Sequence, residues 1–94
     1  MVKWSDAAKL QLNQAHDYIA MAGSEELARR ITRQVVDSVQ QLIAFPMSGR
    51  IGRVVKTREL VLPRTPFIVA YSIEQDHIRI LAVYHGAQRW PEAF

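Results

Sequence analysis

The residues best suited to chemistry lie in the carboxy-terminal half of the chain. His85 carries an imidazole that titrates near neutrality and can serve as general acid or general base. Gly86 follows it, and Arg89 and Trp90 stand four and five residues on. Upstream, Arg58 and Arg64 bracket a short apolar run. On a neighbouring strand their guanidinium groups could approach His85 and hold the charge of a pentavalent phosphate. A second use of the same residues is recognition, because Arg and Trp are common interface anchors. In that case His85 hydrogen-bonds locally and orders the segment that follows. A metal centre is not expected: the chain has no Cys, and His16, His77 and His85 fall on three different elements.

These residues need a sheet to position them. Arg58 to Leu62 is a first strand, stopped by Pro63. Phe67 to Ile73 is β-branched and aromatic and reads as a second. His77 to Tyr84 is a third, after the polar turn Glu74-Gln75-Asp76. That turn is too short for a crossover, so the second and third strands form an antiparallel hairpin. Strict alternation puts Phe67, Val69, Tyr71 and Ile73 on one face, with Ile68, Ala70 and Ser72 on the other. In the third strand it groups Ile78, Ile80, Ala82 and Tyr84 against Arg79, Leu81, Val83 and His85. Both faces are apolar near the middle. Helices are expected over one face, and a concave or partner-covered surface over the other.

The amino-terminal half supplies the helices. Val2-Lys3-Trp4 is a short extended start, with Trp4 a core candidate. Ser5 is a helix N-cap followed by an acidic residue. Ala8, Leu12, Ala15 and Ile19 make one apolar face up to Gly23, expected at the helix carboxy terminus. Ser24 caps a second helix whose apolar stripe runs Leu27, Ile31, Val35, Val39, Leu42, to about Ala44. Its outer face carries Arg29, Arg30 and Arg33. Two helices joined by so short a turn pack as an antiparallel hairpin. The prediction is one α+β domain over residues 1–94: a short N-terminal strand, a helical hairpin and a three-stranded antiparallel meander. Gly49 and Gly52, in the connection between the layers, are expected to take backbone angles that other residues avoid.

With 94 residues, 12 Lys and Arg and 9 Asp and Glu, the chain is mildly basic at +3. The charge is uneven. Arg50, Arg53, Lys56, Arg58 and Arg64 face Glu59 alone between positions 50 and 64, which suggests an acidic partner. No apolar run is long enough for a membrane helix and no signal-peptide pattern opens the chain, so a cytoplasmic location is expected. No phosphate-binding loop is present, and no cofactor is expected.

Read in order, several segments resemble the RelE/ParE superfamily of bacterial toxins. They are Trp4-Ser5 with Ala8, Asp17-Tyr18-Ile19-Ala20, and Pro46 with Gly49-Arg50. Arg58-Glu59-Leu60 and Pro66 to Tyr71 follow, and then Ile80 to Pro91, which ends H-G-A-Q-R-W-P. The resemblance covers nearly the whole chain and implies the α+β fold already read from periodicity. It is closest to the ParE-like branch. That branch implies a toxin that poisons DNA gyrase without catalysing a reaction itself, with Arg58, Arg64, Arg89 and Trp90 as the target-binding candidates. The RelE-like branch implies instead a metal-independent nuclease acting on ribosome-bound mRNA, with His85, Arg64, Arg58 and Arg89 as the active cluster. Phe94 stands where that branch commonly has a tyrosine, and Glu59 and Val61 where it has lysines. An inactive antitoxin-binding module is a third possibility. All three imply a cognate antitoxin whose acidic segment folds on binding.

Overall fold

The structure is a computed structural model that describes residues 1–86 and 89–94. Strand β1 (Val2–Trp4) leads into helices α1 (Asp6–Ala22) and α2 (Glu25–Gln40), the second prolonged by a 3-10 turn at Gln41–Ile43. Strands β2 (Arg50–Ile51), β3 (Arg58–Val61), β4 (Phe67–Ile73) and β5 (Ile78–His85) follow. They form one five-stranded sheet in the order β1-β5-β4-β3-β2. The meander β3-β4-β5 and the helical hairpin are as expected, and the architecture is α+β. Two features extend the expectation. The N-terminal strand pairs parallel to β5, so the sheet is mixed, and Arg50–Ile51 adds a short edge strand beside β3.

Local chemistry sets the helix boundaries. The Ser5 hydroxyl accepts the backbone N–H of Ala8 at 3.0 Å, and that of Ser24 accepts Leu27 N–H at 3.0 Å. Each satisfies a donor that the first turn leaves open. The helix pair and the inner face of the sheet enclose Ala8, Val35, Val39, Leu42, Leu62, Val69, Tyr71 and Ile80, with Trp4, Leu12 and Ile19 packed at the margin.

The alternation expected for β5 breaks at one residue. Val69 pairs with Val83 and Ala70 with Ala82, but Tyr71 pairs with Ile80. Leu81 is therefore a bulge, and residues beyond it change faces. Val83 and His85 lie with Ile78 and Ile80 on the helix side; Ala82 and Tyr84 lie on the other. The bulge sits where β1 runs out. Ser5 N–H donates to Ile80 O at 2.9 Å, the Ser5 hydroxyl to Leu81 O at 3.0 Å, and Val83 N–H to the Gln11 side-chain oxygen at 2.8 Å. Ser5 and Gln11 thus satisfy the edge groups of β5 just past β1, at Ile80, Leu81 and Val83.

The glycines play a different part from the one expected. No described glycine has positive φ; Lys56 and Arg64 do, at 63° and 62°. Gly49 is required by contact instead. Its N–H donates to the Tyr71 hydroxyl at 3.0 Å, and a Cβ there would stand 2.5 Å from that oxygen. The Tyr71 hydroxyl in turn donates to Pro46 O at 2.7 Å. This pins the inter-layer connection to the central strand, and burial pushes the Tyr71 phenol pKa up.

Candidate functional site

His85 ends β5 on the helix side, opposite Phe67, with ring centroids 6.1 Å apart in an edge arrangement. It lines a cleft of about 420 Å³ between β5 and the helices, with Gln14, Tyr18, Ile19, Ile31 and Phe67 also on its walls. Gly86 N–H donates to Pro66 O at 2.7 Å, tying the end of β5 to the β3–β4 turn.

Arg64 lies in that turn. Thr65 N–H and the Thr65 hydroxyl both donate to Leu62 O, at 3.3 and 3.1 Å, closing a turn with Pro63 and Arg64 at its centre. A positive φ after Pro is the geometry that favours Gly. Here it holds an exposed arginine. His85 and Arg64 therefore share one end of the sheet.

Arg58 does not join them. It pairs with Tyr71, whereas His85 pairs with Phe67 four residues along β4 and one strand further over. The separation along the strand alone is about 13 Å. The Arg58 guanidinium donates to Gly49 O at 2.6 Å and to Met47 O at 3.4 Å. The expected approach of Arg58 to His85 is thus replaced by a structural contact at the opposite end. The cluster of five cations is likewise not one surface, since Arg50 and Arg53 lie over the open face and Arg58 points to the helix side.

The open face of the sheet carries the other candidates. Ile68, Ala70 and Ala82 are buried there although no helix covers them. The chain's own tail lies on this face, where a concave or partner-covered surface was expected. The Trp90 ring lies 4.7 Å from that of Tyr84, and Phe94 stacks on Tyr84 at 6.3 Å. The Arg53 guanidinium sits 3.8 Å from the Trp90 ring centroid. Arg89, beside Trp90, is exposed. Ala87 and Gln88 lie outside the described residues.

Beneath Arg53 is Glu59, only 2% exposed. Its carboxylate accepts five hydrogen bonds: Arg50 Nε and Nη2 at 3.0 and 2.8 Å, and Arg53 N, Nε and Nη2 at 2.8, 2.9 and 3.2 Å. Burial pushes its pKa up, but the bonds from Arg53 and Arg50 outweigh that and bring it from 4.5 down to about 2. Glu59 was legible in the sequence only as the single acid among the cations from 50 to 64. That isolation was the signal that it is paired. Among the described residues no three His, Cys, Asp or Glu side chains are grouped to hold a metal ion, and no helix is long and apolar enough to cross a membrane.

The two-helix hairpin on a small mixed sheet is the α+β fold expected from the sequence's resemblance to the RelE/ParE toxins. The sequence model described as "ParE toxin of type II toxin-antitoxin system, parDE" matches residues 2–90, and the chain belongs to this family. A relative from Sinorhizobium fredii, named "Putative toxin Y4kP", is 37% identical over 91 residues, covering 97% of this chain and 93% of the relative. A solved structure titled "Chromosomal ParDE TA system from P. aeruginosa" superimposes with a TM-score of 0.82 at 27% identity, covering 89% of this chain and 92% of that one. The family is that of the toxin of a type II toxin–antitoxin pair, which implies an antitoxin partner.

Proposed function

We propose that this ParE-family toxin poisons DNA gyrase, trapping it on cleaved DNA and so blocking replication. The chemistry is then gyrase's own, and the toxin supplies a binding surface. The observation that carries this reading against a nuclease is the separation of Arg58 from His85, with the Arg58 guanidinium already engaged by backbone carbonyls. The proposed contact surface comprises Trp90 and Arg89 on the returning tail and Arg64 at its turn. Arg58 contributes by shaping the loop at 47–49. The antitoxin neutralises the toxin by laying an acidic amphipathic segment into the cleft beside His85, where β5 runs beyond the end of β1 and offers an edge without a strand.

The test is supercoiling of relaxed plasmid by purified gyrase with ATP, titrated with this protein. Loss of supercoiling with accumulation of linear, protein-linked DNA is expected. Undiminished supercoiling at toxin excess would sink the proposal. One observation keeps a nuclease as second reading: His85 and Arg64 share an end of the sheet. It predicts mRNA cleavage on programmed ribosomes that His85→Ala with Arg64→Ala abolishes. No effect in either assay, and no growth defect on expression, would identify an inactive antitoxin-binding module.

A further inference from the structure

Two of the segments that carry the family resemblance, Arg58-Glu59-Leu60 and the run ending Arg89-Trp90-Pro91, are far apart in sequence and meet in space through one side chain. Arg53 donates to the Glu59 carboxylate from its backbone, Nε and Nη2, and presents the face of its guanidinium to Trp90. A guanidinium held in its own plane by a carboxylate leaves its two faces free for stacking. Glu59 is buried on the sheet, so it fixes Arg53 to a rigid element. The Arg53 side chain is itself 43% exposed, and without that anchor it would sample many rotamers. Arg50 completes the carboxylate's hydrogen bonding from the other side.

Among the described residues Trp90 is held by ring contacts rather than by a hydrogen bond. Its indole N–H is buried and has no hydrogen-bond partner among the described residues. Its ring meets the Tyr84 ring and the Arg53 guanidinium. The tail is thus held on the open face by three stacking contacts, Trp90 and Phe94 on Tyr84 and Arg53 on Trp90, and the last depends on a side chain that Glu59 positions.

We propose that Glu59 is a positioning residue for the target-binding tail: through Arg53 it clamps Trp90 on the sheet and so presents Arg89 and Trp90 in the conformation that meets gyrase. The clamp is a matter of this chain alone. Its link to gyrase rests on the functional reading above.

The experiment separates the two. In a Trp4→Phe background, Trp90 is the sole tryptophan and its emission reports the seat directly. Glu59→Gln removes the charge that orders Arg53. Arg53→Met leaves the Arg50–Glu59 pair in place and alters an exposed side chain, so it remains informative if Glu59→Gln folds poorly. Both variants are expected to red-shift Trp90 emission and to raise its acrylamide quenching at least twofold. Both should also raise the toxin concentration for half-inhibition of gyrase about tenfold or more, while antitoxin affinity changes less than about threefold. Trp90→Phe keeps a ring under the guanidinium and gives up an N–H that has no partner among the described residues, so it should retain inhibition that Trp90→Leu loses. Trp90 remaining shielded in both variants would overturn the clamp. Release of Trp90 with inhibition unchanged would overturn its role in target binding. If the unmodified toxin leaves gyrase untouched, the functional reading falls, and the emission measurements decide the clamp by themselves.

Discussion

Glu59 offers a stability test that needs no target. Replacing it by Gln keeps the shape and removes the charge, which mimics the protonated acid. The fall of its pKa from 4.5 to about 2 measures how much better the folded chain holds the carboxylate than the acid. At 1.36 kcal/mol per pH unit this is about 3 kcal/mol. Arg50 and Arg53 are themselves about half exposed, so water takes over their charge once Glu59 is neutral, and the loss comes from the carboxylate's own hydrogen bonds. The sign is fixed by linkage. The folded-state pKa lies below the unfolded one, so the contribution is complete above about pH 5 and disappears as pH falls toward 2. Urea unfolding followed by circular dichroism should find Glu59→Gln less stable by about 3 kcal/mol near pH 7 and near pH 5. Near pH 3 the wild type has lost about 2 kcal/mol of that advantage, and the gap should narrow to roughly 1. A gap below about 1 kcal/mol at neutral pH, or one equal at both acidic points, would refute the reasoning.

Other expectations follow from single contacts. Tyr71→Phe strips a partner from both Gly49 N–H and Pro46 O and should cost about 1–3 kcal/mol in the same unfolding assay. Gly49→Ala drives a methyl into the Tyr71 hydroxyl and should cost about 2 kcal/mol or more. Arg64→Gly relieves a left-handed backbone angle and should stabilise the chain by roughly 0.5–1 kcal/mol while weakening gyrase inhibition; lower stability would show that the turn does not favour glycine. Ser5→Ala removes both a helix cap and the bond to Leu81 O, and a loss of about 1–2 kcal/mol is expected.

Much of the fold was legible because local signals agreed with it. Ser5 and Ser24 marked both helix starts, and the β-branched run Phe67–Ile73 is β4 to the residue. What escaped was set by distant partners. The bulge at Leu81 is invisible in Ile80-Leu81-Ala82-Val83, because every residue there is apolar and either alternation reads equally well. With it went the facing of His85. β2 is two residues long and exists only beside β3. The parallel pairing of β1 with β5 depends on the helices between them, so the sequence could supply the strand without its neighbour. For the candidate site, residue type marked the arginines only as a pool, and geometry divides them. Arg50 and Arg53 are bound to Glu59, Arg58 holds a loop, and Arg64 stands exposed on a turn.

The parallel pairing of β1 with β5 also sets an order of events during synthesis. Val2–Trp4 takes its place only beside Ile78–Ile80, and Ser5 anchors α1 to Ile80 and Leu81. The first element made must wait for the last strand, and contacts of such sequence separation close late. The helical hairpin can form early on the ribosome, but its apolar face has no sheet to meet until β5 emerges. The sheet therefore cannot close, and the core beneath it cannot be sealed, until the last strand has been made.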